Sequence, residues 1–444
     1  MAHSTMQNVS AIISTKWICP VRPLNHVLED HSIVIDDHQI IDIIDTKKVD
    51  ALYTTNQHYQ LHHHIVTPGL INTHTHAAMN LFRGYADDQS LHTWLNESIW
   101  PLEKKWVTPD FVYDGTLIAC AEMLKSGITT FNEMYFYPQS AAQAISQSGL
   151  RANIGLFVME HPSNYANDAD DYLIKGLEAR DGWRDEKLIT SSIAPHAPYT
   201  ISNKTFEKIL TYANQLNLTI HMHVHETAAE IEESIKEYQL RPIERLNQLG
   251  IISPQFMAVH AVHLNEHDLI TLAKESASVV HCPSSNLKLG SGLANIDAMH
   301  QHHLNVCLGT DGSASNNKLD LLHEMQLASL IAKGLMQNPS IIDARNSLEM
   351  ATINGAKALG LDDNIGSIEI GKFADITAFN IDSINTLPIY DPISHLVYAL
   401  SRDAVSHVWI NGALQYQEGF LQSIDLKECK DIALRWQLKL KQNI

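Results

Sequence analysis

Apolar positions fall into two patterns along this chain. From residue 65 to residue 308, short β-branched runs alternate with longer stretches in which apolar residues recur at helical spacing. The runs lie at 65–71, 129–134, 152–159, 189–194, 218–224, 257–262, 278–281 and 306–308, eight strands in all. Between them, stretches such as 110–126, 203–217 and 231–249 have the spacing of amphipathic helices that cover a sheet. Strands and helices in this alternation predict an α/β protein, a (β/α)8 TIM-type barrel.

The flanks read differently. Short strand-like runs at 11–18, 32–36, 39–44, 374–379 and 405–410 follow one another without long helices, punctuated by turn residues such as Asn411-Gly412. Chain ends often meet in space, so these runs predict a small β-sandwich domain made of residues 1–66 plus 368–444, with the barrel occupying 67–367. No repeat and no low-complexity linker divides the chain.

Composition narrows the function. A 45% hydrophobic fraction over 444 residues supplies a large core. The charge balance, 31 − 50 = −19, argues against nucleic acid and anionic membranes as partners and favours a small neutral or cationic substrate. Cys19, Cys120, Cys282, Cys307 and Cys429 are scattered with no C-x-x-C pair, which suggests neither a disulfide framework nor a cysteine zinc site and fits a reducing cytoplasm. Residues 1–16 lack a basic region followed by an apolar run, and no stretch approaches eighteen apolar residues, so neither a secreted precursor nor a membrane protein is expected.

The 26 histidines carry the chemistry. Pro68-Gly69-Leu70-Ile71-Asn72-Thr73-His74-Thr75-His76 places an H-x-H at the end of an apolar strand, where alternate side chains share a face and two imidazoles can meet one ion. Further candidates close other strands: His196 the fourth, His223 the fifth, His260 the sixth and Asp311 the eighth. In a βα barrel all these ends meet at one mouth. A lone strand-end histidine is ordinarily a structural residue; the joint pattern reverses that reading. His74, His76, His223 and Asp311 suit one divalent cation, zinc first, with Fe2+, Mn2+ and Co2+ open. The fourth strand ends Ala194-Pro195-His196, without a lysine to bridge a second ion. Asp311 is placed to touch both metal and water as proton acceptor, and His260 to orient that water. His62, His63 and His64, like His300, His302 and His303, show no ligand spacing. His221 and His225 read as packing residues, and His263 and His281 stay open.

These motifs, with His223-Val224-His225-Glu226, Ala258-Val259-His260 and Gly309-Thr310-Asp311-Gly312, resemble the amidohydrolase superfamily over nearly the whole chain. Segments 79–84, 102–103, 194–199, 223–227, 281–292 and 309–317 most resemble the 5'-methylthioadenosine/S-adenosylhomocysteine deaminases, close to triazine chlorohydrolases and guanine deaminases. The resemblance implies a metal-dependent aminohydrolase and a homo-oligomer. It assigns Glu226 as proton donor to the substrate ring, Glu103 as acceptor of both ribose hydroxyls, and His196 as a purine contact. Trp94, Leu95, Met79 and Phe82 are candidates to bed the adenine or a methylthio group. Plain alternatives stand beside these roles: a first-turn helix acid for Glu226, a solvated acid for Glu103, ordinary packing for the apolar residues. The cytidine-deaminase class is excluded, since neither its H-x-E nor its P-C-x-x-C occurs.

Residues 157–172 contain no Arg or Lys but include Glu160, Asp168, Asp170 and Asp171. A substrate carboxylate would lack a partner there, which favours 5'-methylthioadenosine over S-adenosylhomocysteine, with adenosine weaker, unless Arg83 or Arg151 reaches in. The rival readings are a related hydrolase of guanine-like or triazine heterocycles and a non-catalytic barrel scaffold, whose signature would be lost ligands.

Overall fold

The structure is a computed structural model and describes residues 6–22 and 26–441. Eight parallel strands form one sheet, each bonded to the next in chain order: β1 (Leu70–Thr75), β2 (Ile128–Tyr135), β3 (Arg151–Val158), β4 (Ile189–Pro195), β5 (Thr219–Val224), β6 (Phe256–His260), β7 (Ser278–His281) and β8 (Asn305–Leu308). The last strand returns to the first. Thr73 Oγ1 donates to the Leu308 carbonyl at 2.7 Å, and the Asp311 amide donates to the His74 carbonyl at 3.0 Å. The sheet is thus a nearly closed barrel wrapped in helices, consistent with a TIM barrel.

Two sequence expectations shift in detail. The run expected at 65–71 is divided between two sheets: strand His58–Pro68 belongs to the terminal sheet and β1 begins at Leu70. Gly69 sits at the break, where no side chain fits: a Cβ there would lie 2.1 Å from Thr129 Oγ1. The single helix expected over 231–249 is two, Ala228–Tyr238 and Pro242–Gln248. Gln239 at φ +58° ends the first, and Pro242, with no N–H to offer, begins the second.

Both chain ends contribute to a second eight-stranded sheet. Its order is Phe420–Leu421, Ala413–Gln417, Val405–Ile410, Ile376–Asn380, His58–Pro68, Ala11–Ile18, Leu28–Asp36, Gln39–Asp45. The expected sandwich is therefore one continuous sheet, joined where Ile376–Asn380 pairs antiparallel with His58–Pro68. Asn411 and Gly412, at φ +53° and +78°, make the tight turn anticipated between two strands. One face buries Ile13, Ile33, Ile35, Val66, Ile376 and Trp409 together. Arg151 at the start of β3 forms a buried two-pronged ion pair with Asp375, at 2.8 and 3.0 Å, which ties barrel to sheet.

Residues 426–441, expected within the small β domain, form a helix that packs on the barrel instead. In helix Leu426–Lys441, Cys429, Ile432, Trp436 and Leu440 are buried at helical spacing; the Trp436 ring meets Phe111 of helix Pro109–Lys125 at 5.1 Å. Among the described residues no helix is long and apolar enough to cross a membrane, and all five cysteines are buried and unpaired.

Candidate active site

The C-terminal ends of the barrel strands bring the ligand candidates together. His74 Nε2 and His76 Nε2 each lie 3.4 Å from Asp311 Oδ1, and His74 Nε2 lies 3.2 Å from His223 Nε2. The possible ligand atoms fall into two overlapping trios, His74 with His223 and His260, and His74 with His76 and Asp311, each trio within 4.8 Å. His260 thus stands closer to the ligand set than its expected role of orienting water required.

Each ring is fixed by its other nitrogen. His76 Nδ1 meets the Met134 carbonyl at 2.5 Å, His223 Nδ1 the His196 carbonyl at 2.8 Å, and His260 Nδ1 the Asn286 Oδ1 at 2.9 Å. A carbonyl only accepts, so His76 and His223 are protonated at Nδ1 and turn bare Nε2 lone pairs inward. His74 Nδ1 is bonded to His221 Nε2 at 3.0 Å. Converging lone pairs beside a carboxylate repel one another unless a cation lies among them, and this donor set fits a zinc-type divalent ion. Burial pushes the His74 imidazole down to about 4 and His223 well below its ordinary range. Burial alone would raise Asp311, but the hydrogen bond with His74 and the neighbouring His76 and His260 hold it well below the usual carboxylate range.

The backbone at this mouth is unusual. His225, His260, Ala261 and Asp311 adopt φ of +54°, +70°, +46° and +62°, left-handed values that non-glycine residues seldom take and that cluster where surroundings dictate geometry.

A cavity of about 400 Å³ opens onto these groups. His76, His223, His260, Asp311 and Glu226 line it, as do Glu103, His196, Trp94, Leu95 and Met79. Glu226 is buried, accepts from Ser291 Oγ at 3.3 Å and faces His260 Nε2 at 3.8 Å. Burial raises its pKa, partly offset by His260, which favours a carboxyl that carries a proton. Glu103 accepts from the Tyr135 hydroxyl at 2.8 Å and is pushed up to about 7 by burial. His196 Nδ1 contacts Thr200 Oγ1 at 3.2 Å. The indole Nε1 of Trp94 is buried without a protein partner.

Other candidates sit elsewhere. Phe82 packs on Phe111 at 4.8 Å and does not line the cavity. His263 Nε2 donates to the Ser291 carbonyl at 2.7 Å, and neither it nor His281 lines the wall. Arg83 is engaged with Glu122, and Arg151 with Asp375; neither reaches the cavity. The lysine at the wall is instead Lys104, beside Glu103.

Several supporting residues escaped the sequence reading. Ser285 Oγ donates to Asp311 Oδ2 at 2.6 Å, while Asn286, the next residue, orients His260. Their signal was a polar Ser284-Ser285-Asn286 cluster directly after a strand. Glu133, inside β2, accepts from Thr75 Oγ1 at 2.6 Å and from the Ala77 amide at 2.9 Å, bracketing His76. A charged residue in a strand whose other residues are uncharged was the available sign. His221, read as packing, backs His74, and its own Nδ1 is buried without a partner.

The amidohydrolase family model matches residues 65–414. A 5-methylthioadenosine/S-adenosylhomocysteine deaminase of Saccharophagus degradans is 44% identical over 97% of this chain and 96% of its own. One of the same name from Teredinibacter turnerae is 42% identical over 98% and 99%. A zinc-bound crystal structure of an adenosine deaminase from Xanthomonas campestris superposes with a TM-score of 0.97 at 37% identity, covering 99% of this chain and all of that one, 100%. This chain belongs to the amidohydrolase family, and it is a metal-binding hydrolytic enzyme of that family.

Proposed function

We propose that this enzyme hydrolytically deaminates an adenine nucleoside, with 5'-methylthioadenosine preferred, giving 5'-methylthioinosine and ammonia. The observation that carries this reading is Glu226, a buried carboxyl facing His260 at 3.8 Å in the same cavity as Asp311. Its support is the pair of relatives named for methylthioadenosine and S-adenosylhomocysteine.

One divalent cation per chain, zinc foremost, would be held by His74, His76, His223 and Asp311; such an ion acidifies water toward neutrality. Asp311 accepts the proton of the attacking water, and His260 orients that water. Glu226 gives a proton to the ring nitrogen beside the attacked carbon. The carbon–oxygen bond forms, the carbon–nitrogen bond to the amino group breaks, and ammonia leaves with the proton that Asp311 took from the water, while the new hydroxyl returns its proton to Glu226 as the carbonyl forms. Glu103 takes the ribose hydroxyls, and His196 and Trp94 hold the purine. In this reading residues 67–367 form the catalytic barrel, and 1–66 with 368–444 the companion unit, apart from its final helix.

A second substrate is favoured by one residue. Lys104 is the group at the wall that a substrate carboxylate would meet, so S-adenosylhomocysteine is accepted at a lower rate. Ammonia release from the zinc-loaded enzyme given methylthioadenosine, S-adenosylhomocysteine, adenosine and guanine in parallel tests the assignment. Methylthioadenosine should turn over fastest; turnover of guanine with silence on every adenine nucleoside would transfer the enzyme to the rival heterocycle hydrolases.

A further inference from the structure

Glu226 reaches the cavity because the chain turns sharply after β5. His225, at φ +54°, makes the turn, and its carbonyl accepts from the Val262 and His263 amides at 2.9 and 3.1 Å. The turn is closed from the other side by Glu230. Its Oε1 accepts from the His225 amide at 2.8 Å and its Oε2 from the Glu226 amide at 2.9 Å. Glu230 is 6% exposed and does not line the cavity.

An acid three residues after an N-cap ordinarily bonds the amide of the N-cap itself. Here the N-cap is Thr227, whose Oγ1 accepts from the Glu230 amide at 3.3 Å. The Glu230 carboxylate feels the Thr227 amide but makes its close bonds, 2.8 and 2.9 Å, to the two residues before it, outside the helix. Helix capping alone does not call for that reach.

We propose that Glu230 is a positioning residue whose carboxylate clamps the His225–Glu226 turn and so aims the Glu226 carboxyl at the substrate ring. The inference rests on the reading of Glu226 as proton carrier. Glu230→Gln keeps the size but turns one acceptor into a donor facing an amide, so one arm of the clamp is lost. Expected are a fall in kcat of about 10- to 100-fold with KM within about twofold, as for a slightly misplaced reacting group. Bound zinc should be unchanged, and the limb of the pH–rate profile that Glu226→Gln abolishes should shift. In a Glu226→Gln background, Glu230→Gln should change the residual rate by less than about twofold, since the two act as one unit. Thr227→Ala, which removes the cap but leaves the clamp, should lower the melting temperature while keeping kcat within about twofold. Should Glu230→Gln not fold, Glu230→Asp, one methylene too short for both amides, answers the same question with the same readouts. Unimpaired turnover in the Glu230 variants, an equal loss in Thr227→Ala, or losses that multiply with Glu226→Gln would each overturn the proposal. Full activity in Glu226→Gln alone is a different failure, that of the proton-carrier reading itself.

Discussion

The barrel mouth and the terminal sheet both bury histidines, and they treat them in opposite ways. In the sheet, His64 has both ring nitrogens buried without a hydrogen-bond partner, and burial pushes it down to about 4; His407 stacks on Trp409 at 5.4 Å. At the mouth, burial depresses His74 to the same level, yet its Nδ1 is held by His221 while its Nε2 faces other ligand atoms. Depth of burial therefore does not make a site. Convergent lone pairs do, when the opposite nitrogen of each ring is anchored.

The sharpest way to break this contrast is Asp311→Asn, which removes the carboxylate proposed as anionic ligand and proton acceptor. It should lower kcat/KM by at least about 1,000-fold and reduce metal content, read by turnover and by metal analysis. Glu226→Gln should lower kcat by about 100- to 10,000-fold with zinc retained, because only the proton transfer is lost. Lys104→Met should reduce kcat/KM for S-adenosylhomocysteine by about tenfold and leave methylthioadenosine within about twofold, since only the former carries a carboxylate.

Stability against pH probes burial without the metal. Burial pushes Glu133 up to about 8 and Glu324 up to about 7, against an ordinary value of 4.5. Above pH 4.5 the unfolded chain has released protons that the folded chain still holds, so these acids make stability fall as pH rises toward 8. His64 and His225 are pushed by burial to about 4 from 6.5, so the unfolded chain binds protons below 6.5 that the folded chain refuses, and stability falls as pH drops toward 4. The unfolded histidines have given up nearly all their protons by about one unit above 6.5, so the acids then dominate, and the melting temperature of the metal-stripped protein should decline over about pH 7.5 to 8.5. A rise across that range would contradict the assignment. The smallest effect belongs to the sheet: His64→Phe removes unpaired buried polar atoms and should leave turnover unchanged, with stability equal or higher by about 1 kcal/mol in chemical denaturation.

The sequence was most legible where periodicity and residue type coincide. The eight barrel strands appeared as β-branched runs, and His74, His76, His223, His260 and Asp311 appeared at their ends because strand-end position is a one-dimensional property. Partners were not legible. Glu133, Ser285 and Asn286 act through contacts that depend on which strands and loops the barrel brings side by side, and the faint local signs, a charged residue inside a strand and a polar cluster after one, do not say what these residues touch. Lys104 was not among the expected cations, Arg83, Arg151 or a residue beyond the third strand, because the wall draws on the helix that carries Glu103. The helix Leu426–Lys441 was missed because the flank was read for alternation with a period of two.

Metal titration of chelator-stripped protein, with methylthioadenosine turnover measured at each step, tests the central claim most directly. The account predicts no activity without metal and a linear rise that saturates at one equivalent of zinc per chain. Full turnover by the stripped protein, or none at saturation, would contradict it.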